Sequence, residues 1–260
     1  MARASSRFSQ ALEHEPLEAT LVSLGTVPYG WGVGFYHGDE VLHIKRPHSE
    51  DVQFNWQNAI ADIVSDCVVA HVREPSIGAF RAENTHPFRM RQWLFAHAGI
   101  LRGFDEARST LTSALPDFLR HNIRGETDSE IFFHMILAEL FAQGQLDVRD
   151  PAPTDVIAAV RTARERLNDV SPSQSEPHVL NIVLTNGRQM LVVHQGPPVA
   201  FVQRQPHTVE RSSSALKHSP APDYVLAACG LTELPPGYAA VPDHHVLAID
   251  RDLRVSLHPL

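Results

Sequence analysis

Arg73 and Asp128 are the charges around which this chain of 260 residues could build chemistry. Arg73 closes the apolar run Cys67-Val68-Val69-Ala70-His71-Val72. A planar guanidinium suits a two-point grip on a carboxylate, although an arginine at a strand end is most often a solvated charge. Asp128 lies in Gly125-Glu126-Thr127-Asp128-Ser129-Glu130, whose last four residues also read as a capping box. Thr127 caps, Glu130 reaches back, and Asp128 complements the helix dipole. Between the two charges come Asn84-Thr85-His86-Pro87-Phe88 and Trp93-Leu94-Phe95-Ala96-His97-Ala98-Gly99. Sixteen histidines invite a metal, yet the densest group, Asp243-His244-His245, has no further ligand at a recognisable spacing, and His71/His86 lack a helical i, i+4 spacing. Neither a metal nor a cofactor is expected. Cys67 and Cys229 sit in apolar, strand-like runs and read as buried thiols. No His or Asp follows Cys229 closely enough to activate it.

The elements that must position these groups show in the periodicity. Residues 32–37 and 40–46 read as two strands around a Gly38-Asp39 hairpin turn. Residues 51–65 carry apolar side chains at helical spacing, whereas Cys67–Val72 and Trp93–His97 read as buried strands. An amphipathic helix is expected over 128–143, ending at Gly144, and a second over 154–169. After the polar stretch Ser171–Pro177, the runs Val179–Leu184, Gln189–His194 and Val199–Arg204 suggest a meander, with Asn186-Gly187 as its first turn. Residues 205–223, rich in Ser, Pro and His, read as a surface loop. Tyr224–Ala228, Val246–Asp250 and Leu253–His258 complete the set as strands. Strands, then two helices, then strands predict an α+β layered fold.

Composition narrows the classes. A formal net charge of −8 argues against a general nucleic-acid binder. No run approaches the roughly eighteen apolar residues of a membrane span. The basic start Met1–Arg7 is not followed by an apolar core, because Glu13, Glu15 and Glu18 interrupt it. The expected setting is the cytoplasm, without nucleic acid or membrane as a partner.

In order and spacing, Arg73, Asn84–Phe88, Trp93–Gly99 and Gly125–Glu130 resemble the glutamine site of the class II glutamine amidotransferases. Tyr29-Gly30-Trp31-Gly32-Val33-Gly34 is similar to that family's Asp-Gly-Trp-Gly segment, with Tyr29 in place of the Asp. The resemblance implies the four-layer αββα sandwich of the N-terminal-nucleophile hydrolases, in one domain over residues 1–260. Residues 1–145 carry the motifs, and the strands of 178–260 complete the sheets. The stand-alone bacterial branch, which includes the γ-glutamyl hydrolase of ergothioneine synthesis, is the most similar.

The same resemblance assigns the site. Arg73 would take the α-carboxylate of a glutamine-like or γ-glutamyl small molecule, Asp128 its α-ammonium, and His86 and Phe88 would wall the pocket. The family's first mature residue is a cysteine whose own amine activates its thiol. Here that place holds Ala2. The oxyanion Asn of the family's His-Asn-Gly turn is Ala98, leaving only the backbone N–H of Gly99. One lost oxyanion donor costs about 10²–10³ in rate, and a lost nucleophile on the order of 10⁶. No catalytic residue is therefore intact, and the expected role is a binding, regulatory or scaffold module, with a protein partner from the same pathway as one form of it. Ala228 and Cys229, where relatives often carry Ser-Glu, add two further departures. The alternative is an active amide hydrolase with an unrecognised nucleophile, such as Ser5 after a cut behind Ala4, or Cys229. An engineered Cys-to-Ala change would explain Ala2 but not Tyr29, Ala98 or Ala228.

Overall fold

The computed structural model describes residues 1–13, 15, 30–47, 60–73, 78–171, 176–205, 223–231 and 233–260. In chain order its elements are β1 (Ser6–Arg7), α1 (Phe8–Leu12), β2 (Gly30–His37), β3 (Glu40–Arg46), β4 (Val64–Ser65), β5 (Val68–Arg73), β6 (Phe88–Met90) and β7 (Trp93–Ile100). Four helices follow: α2 (Phe104–Ser113), α3 (Asp117–Arg120), α4 (Asp128–Ala142) and α5 (Pro153–Val170). The chain then forms β8 (Val179–Thr185), β9 (Met190–His194), β10 (Val199–Arg204), β11 (Tyr224–Cys229), β12 (Ala239–Ala240), β13 (His245–Ile249) and β14 (Val255–Pro259).

Side-chain alternation builds the layers. Along β7, Trp93 and Phe95 join the core beneath the helices, while Leu94 and Ala96 join a second core on the opposite face. β9 repeats this with Leu191 and Val193 against Met190 and Val192, and β13 with Val246 and Ala248 against Leu247 and Ile249. A sheet that is apolar on both faces must be covered on both. These strands form the antiparallel six-stranded sheet β14-β13-β9-β8-β7-β6. Helices α2, α4 and α5 cover one face. Two three-stranded sheets, β3-β2-β5 and β11-β10-β12, contribute Tyr36, Val69, Val199 and Val225 to the core on the other. Beyond β2, Trp31 and Val33 pack with Leu12 of α1 and with Ile60 and Ile63. The order is helix, sheet, sheet, helix: an α+β, four-layer αββα arrangement of the N-terminal-nucleophile hydrolase type. No helix among the described residues is long and apolar enough to cross a membrane.

Several expectations need correction. Of the helix expected over 51–65, residues 51–59 lie outside the described residues, and Val64–Ser65 are strand, paired with Ser6–Arg7. Most of the 205–223 loop also lies outside them. Helix α4 is not amphipathic: every residue from Asp128 to Leu140 is buried, because the sheet lies under it and other helices lie over it. Helices α2 and α3 were not anticipated, although Phe104, Ala107 and Leu111 are buried at spacings of three and four. The meander stops at β9, since β10 leaves the six-stranded sheet and pairs with β11 and β12. The connection Gly196-Pro197-Pro198 explains the switch. Gly196 has φ 137°, and two prolines in succession offer no N–H to continue the ladder.

Candidate functional site

Between the stacked sheets lies a cavity of about 810 Å³. Its walls include Ala2, Arg73, His86, His97, Ala98, Gly99 and Asp128. Residues far apart in sequence thus meet around one space. Phe88 is not among the lining residues; it is buried in the core beneath the helices, edge-on to His86 at 4.6 Å between ring centroids.

β5 delivers Arg73. Val69 of this strand packs into the inter-sheet core, and period-2 alternation carries His71 and Arg73 to the same face. Arg73 is only 4% exposed, so it is not the solvated charge its position suggests. Its Nη1 donates to Ala79 O at 3.0 Å and its Nη2 to Gly78 O at 2.9 Å, and the guanidinium stands 5.6 Å from the Phe80 ring centre. Burial lowers its pKa. Opposite β5, β2 brings Gly32 beneath the His86 backbone; a Cβ there would come within 2.0 Å of His86 O. Only glycine allows that approach.

α4 delivers Asp128. Thr127 Oγ1 accepts from Glu130 N at 3.2 Å, so the expected cap is present. Glu130, however, reaches to the backbone N–H groups of Arg124 and Gly125. Asp128 Oδ2 accepts from Leu101 N at 3.0 Å, and Oδ1 from Ser129 N at 2.7 Å, tying the helix start to the end of β7. Among the described residues no ion pair joins Arg73 to Asp128, so the two charges do not neutralise each other directly.

His97 links both elements. Its Nε2 donates to Val179 O at 2.8 Å, and its Nδ1 lies 2.9 Å from Ser129 Oγ, itself 3.1 Å from Asp128 Oδ1. Burial lowers the pKa of the ring, outweighing the opposing pull of Asp128. In the neutral ring Nδ1 is an acceptor, so His97 and Asp128 share the one hydroxyl proton of Ser129. The ring therefore points into the helix layer as a brace. His71 and His86 behave differently: their ring centroids are 4.2 Å apart, and His71 Nδ1 and both nitrogens of His86 are buried without a hydrogen-bond partner among the described residues. Burial brings His71 down to about 4 and His86 well below its ordinary range, so both are neutral at pH 7.

The reactive end is bare. Ala2 is held by its N–H on Asp66 O at 2.8 Å and by a bridge to Tyr224, and its side chain is a methyl. Ala98 is another methyl. Its cross-strand neighbour Asn181 is no substitute for a missing carboxamide, because Nδ2 donates to Pro197 O and Oδ1 accepts from Gln195 N. Gly99 is required by packing, as a Cβ would lie 2.0 Å from Val179 O. Ser5 is exposed and outside the cavity wall. Cys229 lines the cavity, but burial pushes its thiol up to about 12. Tyr29 lies outside the described residues.

Residues 10–215 match the profile of the family "Glutamine amidotransferases class-II". The chain belongs to this family. It is 32% identical over 181 residues to YafJ of Escherichia coli, across 64% of this class II chain and 61% of YafJ. It is 25% identical over 236 residues to the gamma-glutamyl-hercynylcysteine sulfoxide hydrolase of Mycolicibacterium smegmatis, across 89% of this chain and 81% of that one. Among solved structures, the glutamine aminotransferase class-II domain protein of Silicibacter pomeroyi matches with a TM-score of 0.59 and 17% identity, covering 88% of this chain and 91% of that one. At that identity the match speaks for the fold.

The Ser129–His97 link, the ring contact of His71 with His86 and the tied Asn181 were not anticipated. Period 2 could have placed His71 beside Arg73. Nothing local could have placed Ser129 against His97.

Proposed function

We propose that this class II amidotransferase homologue is catalytically inactive and acts as a binding or regulatory module with a pocket for a glutamine-like or γ-glutamyl small molecule. One observation carries the reading: the cavity wall keeps Arg73, Gly99 and Asp128 but has methyl groups at Ala2 and Ala98. Arg73 would take the ligand's α-carboxylate and Asp128 its α-ammonium. Both residues line the same cavity, which supports a zwitterion between them. Two free cysteines support a reducing compartment such as the cytoplasm. In this reading residues 1–260 act as one unit, and its output passes to a protein partner.

Purified protein is expected to release no ammonia from glutamine, and Ala2→Cys to recover little while Ala98 remains. Calorimetry should detect weak binding of glutamine or glutamate that Arg73→Ala abolishes. Clear turnover by the unmodified chain would overturn inactivity; absence of heat at high ligand concentration would overturn the pocket. A second reading, hydrolysis through Cys229, has that residue's place in the cavity in its favour. Against it stands a thiol that burial raises to about 12. Turnover lost in Cys229→Ser would establish it.

A further inference from the structure

The cavity is divided by polarity. At one end stand Arg73, Asp128 and, without hydrogen-bond partners among the described residues, ring nitrogens of His71 and His86. Elsewhere its wall includes the inner face of the six-stranded sheet, with Ala98, then Ala96, which faces Val183 in register, then Met190, alongside Asn181, Ser65 and Ser6. Ala227 and Cys229 of β11 contribute from the other side. Asp66, a further charged residue in the wall, directs its carboxylate to Arg251 at 3.6 Å. At about 810 Å³ the space lies in the upper part of the roughly 300–1,000 Å³ range of pockets that enclose whole drug-sized ligands, and it exceeds what one free amino acid fills.

The polarity of the wall selects the group attached to the γ-carbonyl of the ligand. Glutamine ends in a carboxamide with two N–H donors. Against Ala2, Ala98 and Ala96, whose side chains can accept no hydrogen bond, those donors gain no side-chain partner. A substituted γ-amide has one N–H fewer and carries an apolar group in its place. Asn181 cannot turn to meet the carboxamide, because both ends of its side chain are already bonded.

We infer that the pocket takes a γ-glutamyl amide whose amine bears an apolar group, in preference to free glutamine. This rests on the proposed head-group site at Arg73 and Asp128. The γ-glutamyl head sits at the charged end, and the apolar group lies along Ala96, Val183 and Met190. Burying a leucine-sized group there makes binding roughly 10- to 100-fold tighter than that of glutamine.

Calorimetric titration of the unmodified protein with γ-glutamyl-isopentylamide, glutamine and N-isopentylacetamide tests this. The expected order is γ-glutamyl-isopentylamide tighter than glutamine by at least tenfold, with N-isopentylacetamide, which lacks the head, not binding. Equal or tighter binding of glutamine would overturn the apolar subsite while leaving the head-group site standing. Failure of both γ-glutamyl ligands would overturn both readings. Two variants of unchanged melting temperature sharpen the result. Ala96→Leu fills the apolar end and should abolish the preference, and Ala98→Asn restores a carboxamide partner and should narrow it by improving glutamine. A preference that survives Ala96→Leu would place the apolar group elsewhere and refute the assignment.

Discussion

His71 and His86 face each other as neutral rings among Arg73, Lys45 and His97, cationic or polar groups that disfavour a further positive charge. Both bind a proton less tightly folded than unfolded, because burial penalises the imidazolium. The unfolded chain is then the better proton acceptor below the ordinary histidine value of about 6.5. Stability from this pair is complete above that pH and is lost as pH falls toward about 4, the folded value of His71. The denaturant midpoint should therefore drop between about pH 7.5 and pH 5. His71→Gln should flatten that dependence, whatever it does to stability at neutral pH. A slope identical to that of the parent protein would refute the assignment.

Helix α4 matters as an element because it is buried on every side, where a surface helix would bury one stripe. Its N-terminus holds Asp128 at the site, while Phe133, fully buried, stacks on Phe95 of β7 at 5.1 Å between centroids. The stack fixes the height of the helix start over the strand that carries Ala98 and Gly99. Phe133→Ala should lower unfolding free energy by about 3–5 kcal/mol, the usual cost of emptying an aromatic site in a core. Phe141, near the other end of the helix, is 50% exposed, and its truncation should cost about 1 kcal/mol or less. Chemical denaturation of the two variants gives the comparison, and similar losses would show that α4 is not the buried brace described.

At the scale of the molecule, Glu15 joins parts that the sequence keeps far apart. Its side chain, 0% exposed, accepts from Arg204 Nε at 2.8 Å and Nη2 at 3.0 Å, from the Tyr224 hydroxyl at 2.6 Å and from the Tyr238 hydroxyl at 2.9 Å. The stretch after α1 is thereby fastened to β10, β11 and the approach to β12. Since Tyr224 also bridges Ala2, the same node steadies one wall of the cavity. Burial alone would raise the Glu15 pKa, but the hydrogen bonds from Arg204, Tyr224 and Tyr238 outweigh it and leave the value lowered. A lowered carboxyl pKa contributes stability that is present above the ordinary value of about 4.3 and fades as pH falls through the folded value. Glu15→Gln should cost about 2–3 kcal/mol at neutral pH, in line with losing charge-assisted hydrogen bonds. The deficit should shrink below about pH 4.3; a deficit constant across that range would mean that the carboxylate charge does not matter.

Local chemistry makes much of this protein legible without coordinates. Period-2 runs announce β5, β7, β8 and β9, Thr127 and Glu130 announce the start of α4, and Gly38 marks the β2–β3 turn. The spacing of Arg73, His86, Gly99 and Asp128 was enough to point to the family, and the absence of a thiol at residue 2 and of an amide at residue 98 is plain from side-chain identity. What sequence could not settle depends on partners distant in the chain. Whether α4 is half or wholly buried depends on what lies over it, and the departure of β10 from the sheet of β9 depends on which edge is free to pair. The Glu15 node is made by residues some two hundred positions away. A helix or strand follows from the energetics of neighbouring residues. The direction of a buried charge, and the polarity of the space it faces, follow only from how the layers close over it.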